Sequence, residues 1–144
     1  MAYQAKRKCL YAEDFELTEE DGTVVHTLHV ALDPDSMAKR LSEKHMALAK
    51  ALQDVKEVDS QSNPESALET VGNAVTDILE AVFGADSAKV IVDFYDRRYM
   101  EMCSEVMPFV TATVIPAVRK MAQENKKAIA AGYNRKQHRL FRGM

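Results

Sequence analysis

The chain has 144 residues, 47% of them hydrophobic and 28% charged, with a formal net charge of −3. That is the size of one domain, able to bury roughly 68–70% of the surface its unfolded chain exposes without staples, and it is too apolar for wholesale disorder. The small net charge excludes a whole-chain affinity for polyanions or polycations.

Cys9 and Cys103 form no CxxC pair and read as free thiols in a reducing compartment. Lys6, Arg7 and Lys8 are followed by no apolar run, so no secretory leader is expected. No stretch is expected to approach the ~20 apolar residues of a membrane span. These readings place the chain in the cytoplasm and away from membranes.

The first element reads as a β-hairpin over about 8–32. Cys9, Tyr11, Glu13, Phe15 and Leu17 alternate on one strand, and Val24, His26, Leu28, Val30 and Leu32 on the next. Period-two alternation is the strand signature. Asp21-Gly22 between the runs supplies the positive φ that a hairpin turn needs. Strands are expected at about 8–17 and 23–32. His26 shares the parity of the core face and should pack half-buried, while His29, three residues on, should face out.

Asp33-Pro34-Asp35 reads as a helix start, with Asp33 as cap and Pro34 in the first turn. Met37, Leu41, His45, Leu48, Leu52 and Val55 make one apolar stripe on a helix of about 35–57. A polar loop over 59–63 leads to a second helix opened by Asn63 and Pro64 and lined by Leu68, Val71, Val75, Ile78, Leu79, Val82 and Phe83. Gly84 should end it, because only glycine enters the left-handed region without penalty. A short helix from Asp86 or Ser87 carries Val90, Ile91 and Phe94.

From Arg97 to about Ala131, Met100, Cys103, Met107, Val110, Val114, Val118 and Met121 recur at threes and fours. Pro108 and Pro116 interrupt the run. Each removes a backbone donor and clashes with the carbonyl four residues back, so a kink or break is expected instead of a straight rod. The whole reads as a mainly α fold, an N-terminal β-hairpin followed by four or five packed helices, in a single domain over 1–131. Residues 132–144 read as a flexible basic tail: after Glu124 there is no acid, while Lys126, Lys127, Arg135, Lys136, Arg139 and Arg142 add six positive charges.

No motif for catalysis, metal or nucleotide appears. HExxH, four-ligand Cys/His spacing, the EF-hand loop, GxGxxG, GxxxxGK[ST] and GxSxG are all missing from the sequence, so neither an enzyme nor a cofactor is expected. The features left are a methionine-rich last helix, adaptable enough for core or for binding apolar helices, and the basic end. Candidate partner contacts are Met100, Met107, Val110, Val114 and Met121, with Arg135, Lys136, Arg139 and Arg142 as electrostatic anchors. Val92, Phe109 and Ile115 lie off the main seams and suggest a homo-oligomer that hides them.

The order of parts resembles the tail assembly chaperones of long-tailed phages and prophages. The resemblance rests on the hairpin ending in Leu32-Asp33-Pro34-Asp35-Ser36, the long first helix and the second helix closing on Leu79-Glu80-Ala81-Val82-Phe83-Gly84-Ala85-Asp86-Ser87-Ala88. It continues through Val106-Met107-Pro108-Phe109-Val110 and Val114-Ile115-Pro116 to the polybasic Asn134-Arg135-Lys136-Gln137-His138-Arg139. The chain departs from that pattern in its two prolines and in Asp93-Phe94-Tyr95-Asp96-Arg97-Arg98, where a glycine turn is expected. The resemblance implies a non-enzymatic chaperone in the host cytoplasm that binds the tape-measure protein and assists tail-tube assembly, with tail-tube subunits as further partners. A structural virion or connector protein, or a small nucleic-acid-binding regulator using the basic end, are the alternatives. Purified particles would contain a connector and lack a chaperone.

Overall fold

A computed structural model describes residues 2–7, 10–57 and 64–142, with Pro64 and residues 133–142 described by backbone alone. Cys9, the loop expected at 59–63 and the Asn63 cap lie outside the described residues. The fold is the expected one: an antiparallel two-stranded hairpin followed by a packed set of helices.

Strands β1 (Tyr11–Thr18) and β2 (Val24–Leu32) pair in a register that sets Tyr11 opposite Leu32 and Leu17 opposite His26. Tyr11, Leu17, Leu28, Val30 and Leu32 are buried, with Phe15 half-buried beside them; the period-two pattern is thus realised as one face on the helices. The Gly22 amide donates to the Glu19 carbonyl at 2.9 Å, the Glu19 amide to the Thr23 carbonyl at 2.9 Å, and the Thr23 amide to the Asp21 carboxylate at 2.9 Å. Gly22 alone in this turn has positive φ, +90°. The connection is therefore a turn ending in a left-handed glycine, not a tight two-residue one. It is followed by a register shift at Leu17/Thr18.

That irregularity bears on His26. Its ring meets the edge of Phe94 at 6.3 Å, on the helix side as expected, yet the residue is exposed and not half-buried. His29 faces out, its Nδ1 2.5 Å from the Asp14 carboxylate across the strands.

Helix α1 (Pro34–Glu57) opens where the Met37 amide donates to the Asp33 carbonyl at 3.1 Å. It buries Met37, Leu41, Leu48 and Ala51. Helix α2 (Pro64–Phe83) buries Val71, Val75, Ile78, Leu79, Val82 and Phe83, whereas Leu68 at its start stays exposed. The Gly84 amide bonds back to the Glu80 carbonyl at 3.0 Å, and at φ +87° the chain turns sharply into α3 (Ala85–Phe94).

Helix α3 ends in two consecutive left-handed residues, Asp96 (φ 51°) and Arg97 (φ 61°). The Arg97 amide donates to the Val92 carbonyl at 3.0 Å and the Asp96 amide to the Asp93 carbonyl at 3.1 Å. This is the Schellman pattern that glycine usually serves. The turn expected to hold a glycine is made without one.

The last helical run is broken, as its prolines imply. Helix α4 (Tyr99–Glu105) stops at Val106. A π-helical segment fills Phe109–Val114, and α5 begins at Ile115. The Ile115 amide bonds to the Val110 carbonyl, five residues back, the wider spacing that defines a π turn. The Thr111 hydroxyl donates to the Met107 carbonyl at 3.0 Å.

The buried seam of this run differs from the expected stripe around the π segment. Within and after it, Val110, Val114 and Val118 are fully buried, as the periodicity indicates. Before it, the fully buried side chains are Met102 and Val106. The stripe expected from the sequence runs back from Val110 through Met107, Cys103 and Met100. Of these Met107 is buried, Cys103 is half-buried and Met100 is 48% exposed.

Helix α5 runs from Ile115 to Arg142, past the expected domain end at Ala131. Its later residues include Ala128, Ala130, Ala131, Lys136, Gln137 and Arg139, all good helix formers. The stretch Tyr99–Gly132 reaches a mean hydropathy of 1.2 over 18 residues, enough by length and composition to span a bilayer. This corrects the expectation that no stretch comes close. The apolar character comes largely from Val106, Val110, Val114 and Val118, all inside the core.

Candidate functional site

Helices α1 and α5 run antiparallel. The Asn125 side-chain amide donates to the Asp35 carboxylate at 3.3 Å, at the start of α1. Further along, Ala38, Lys39 and Ser42 face Arg119, Ala122, Gln123 and Lys126 across a groove of about 330 Å³. Its floor is small and apolar, and its rim carries Lys39, Arg119 and Lys126. Lys39 is held loosely by Glu43 at 3.9 Å, and both side chains are largely exposed, so the pair adds little to stability.

Beyond Asn125 every residue from Lys126 to Gly132 is exposed, Ile129 to 63%. None of these residues belongs to the buried core. The backbone continues as helix to Arg142, and the sequence adds Arg135, Lys136, Arg139 and Arg142 to Lys126 and Lys127. The result is a basic helical extension that, among the residues whose side chains are described, displays the large aliphatic Ile129 to solvent.

The structure separates the candidate contacts read from the sequence. Met107, Val110 and Val114 lie in the chain's own core at 5%, 0% and 0% exposure. They support the surface instead of forming it, because the stripe they belong to packs into the chain's own core. Met121 is half-buried against the core and Met100 is exposed. Arg135, Lys136, Arg139 and Arg142 sit on the α5 extension by backbone position. The surplus apolar residues behind the oligomer expectation are also absorbed: Ile115 is buried, and Val92 and Phe109 pack partly against the core.

Ile129, Lys39 and Arg119 were missed as surface candidates. The signal for Ile129 was an isolated branched residue just after Lys126-Lys127, beyond Met121 where the seam ends. Lys39 and Arg119 carry no such signal, since their proximity is created by the pairing of α1 with α5.

A second charged surface lies at the hairpin turn. Thr18, Glu19 and Glu20 there, Phe94 and Tyr95 at the end of α3, and Arg98, Glu101 and Glu105 on and beside α4 line a groove of about 640 Å³. Arg98 is engaged within it, bonded to Glu101 at 2.9 Å and to the Tyr95 carbonyl at 3.1 Å. Burial, then the nearby Glu105 and Glu101 carboxylates, push the Tyr95 hydroxyl above its ordinary pKa. Only the smaller, carboxylate part of that shift reflects negative charge in the groove; burial is the larger cause.

Among the described residues, no group of three or more His, Cys, Asp or Glu side chains is arranged to hold a metal ion. The Cys103 thiol is half-buried, with its pKa raised by that burial, which disfavours the nucleophilic thiolate. The geometry offers recognition by charge and apolar contact. Comparison with family models, with curated proteins and with solved structures found no match.

Proposed function

We propose that the chain is a non-enzymatic tail assembly chaperone of the kind its order of elements resembles, holding a long helical tape-measure protein soluble and assisting assembly of the tail tube. The observation that carries this reading is the α5 extension. Lys126–Gly132 is helical and exposed, and after Glu124 the sequence carries no acid and six Lys or Arg residues. A helix exposed in this way is free to pair with a client helix. Ile129 and the aliphatic stems of the lysines supply apolar contact while their ammonium groups meet client acids.

On this reading the client binds the extension, with Met100 as an outlying apolar contact, and Met107, Val110 and Val114 are framework inside the core. Burial of the client's apolar face would lower the free energy of an otherwise aggregation-prone helix. Electrostatic steering would raise the encounter rate and make capture depend on salt.

The test is capture of a coiled-coil-rich tape-measure fragment by the full chain and by a chain truncated after Ala131, at low and high salt. Truncation should leave melting almost unchanged and weaken capture, more visibly at low salt. Equal capture by both chains at both salts would remove residues 132–144, with Arg135, Lys136, Arg139 and Arg142, from the mechanism and leave Lys126, Lys127 and Ile129 as its only basic and apolar contacts on the extension. A chaperone leaves before the particle is complete, so mass spectrometry of purified particles should not find the chain. Its presence there in fixed stoichiometry would favour a connector.

A further inference from the structure

The two charged surfaces are complementary, and the fold prevents one copy from joining its own. Helix α5 starts next to the π segment, whose Phe109 packs on Phe15 of β1, and by Asn125 it has reached Asp35 at the start of α1. That point follows directly on Leu32, which pairs with Tyr11 at the open end of the hairpin. The acidic groove sits at the other end of the hairpin, by the turn. An eight-residue strand spans about 26 Å, and α5 is travelling away from the turn when its exposed part begins. A continuous helix cannot double back over that distance.

We infer that the basic α5 extension of one copy docks in the acidic, aromatic-lined groove of a second copy, forming a head-to-tail contact between chains. Among the described residues, Glu19, Glu20 and Glu105 have no cationic partner, and the guanidinium of Arg98 is already taken by Glu101. Lys126 and Lys127 likewise have no acidic partner there. The rings of Phe94 and Tyr95, edge to face at 5.1 Å, give Ile129 and the lysine stems an apolar surface to cover. Symmetric pairing of two α5 extensions is disfavoured, because it would set basic residues against basic residues.

A contact between different surfaces on identical chains propagates into rings or open chains instead of stopping at a dimer. A single helix in a groove buries an area at the low end of specific interfaces, so the association is transient. It is also independent of whether the chain has a client, although a client on α5 would compete with it.

The experiment is sedimentation equilibrium on the full chain at low and high salt, with two charge-reversal variants. Glu20→Lys with Glu105→Lys reverses the groove and spares the Arg98–Glu101 pair. Lys126→Glu with Lys127→Glu reverses the charge at the start of the exposed helix, beside Ile129. Circular dichroism and melting confirm that each variant folds. The wild-type average mass should exceed the 16.1 kDa of one chain, rise with concentration, and fall at high salt with at least about tenfold weaker association. Each variant alone should stay monomeric, and an equimolar mixture should regain association because opposite charges again face each other. A wild-type chain that stays at monomer mass at low salt overturns the inference. So does a variant that associates as well alone as the wild type, or a mixture that fails to recover.

Discussion

Phe15 on β1 and Phe109 at the head of the π segment lie ring against ring, 4.8 Å between centroids, and Phe83 of α2 joins them at 5.5 Å from Phe15 and 6.1 Å from Phe109. Three distant parts of the chain meet in this group, which fastens the hairpin to the helices at the point where the last helical run is most irregular. Phe15→Ala and Phe109→Ala should each destabilise the fold by about 2–3 kcal/mol, below the ~3–5 of a fully buried phenylalanine because both are half-buried. A double-mutant cycle in urea should give a coupling of about 0.5–1.5 kcal/mol. Simple additivity would mean the rings act through separate neighbours.

The Tyr11 hydroxyl is buried without a hydrogen-bond partner, and burial followed by the nearby Glu13 raises its pKa. An orphaned buried hydroxyl costs about 1–3 kcal/mol. Tyr11→Phe should therefore raise unfolding stability by about 1 kcal/mol, read as a higher denaturation midpoint with an unchanged slope. A loss of stability would reveal a partner for the hydroxyl.

Asp96 and Arg97 hold left-handed backbone without being glycine. The penalty for a side chain there is about 1–2 kcal/mol, somewhat less for aspartate. Asp96→Gly should stabilise by about 1 kcal/mol and raise the melting temperature by about 2–4 °C. At Gly84, also left-handed, Gly84→Ala should move melting the other way.

Burial raises the Cys103 pKa in the folded state. The fold binds the thiol proton more tightly than the unfolded chain does. Its contribution to stability is thus complete below the ordinary thiol pKa and is lost as pH rises through the raised folded value. In a Cys9→Ser background, Cys103 should react with a thiol reagent more slowly than free cysteine at neutral pH, and urea should abolish the difference. Equal rates in the native state would place the thiol in open solvent.

The hairpin and the cores of α1 and α2 were legible because their patterning is local: alternation from Tyr11 to Leu17, threes and fours from Met37 to Val55. The seam of the last helical run was only half legible. Met102, Val106, Val110, Val114 and Val118 follow one another strictly by fours, a wider step than the about 3.6 residues of a regular α-turn, so the mixed threes and fours through Met100, Cys103 and Met107 part from them ahead of the π segment. The two prolines signalled the disturbance without giving its form. The Asp96-Arg97 turn was hidden for a related reason, since neither residue announces a left-handed backbone. The surfaces were least legible. The α1–α5 groove and the acidic groove each combine residues far apart in sequence, and Ile129 counts as surface only once the extent of the core is known.

The bond between Asp35 and Asn125 spans 90 positions of sequence, and this separation has a kinetic meaning. The hairpin, α1 and α2 join through near neighbours, so they can begin to associate as soon as they are made. The side of α1 that receives α5 has to wait for nearly the whole chain. Loop-closure entropy grows only slowly with length, about 0.6 kcal/mol per doubling, so the delay is chiefly one of synthesis time. A nascent chain ending before Ile115 would carry the first two helices with one seam uncovered, and that interval is when aggregation would compete most strongly with completion of the fold.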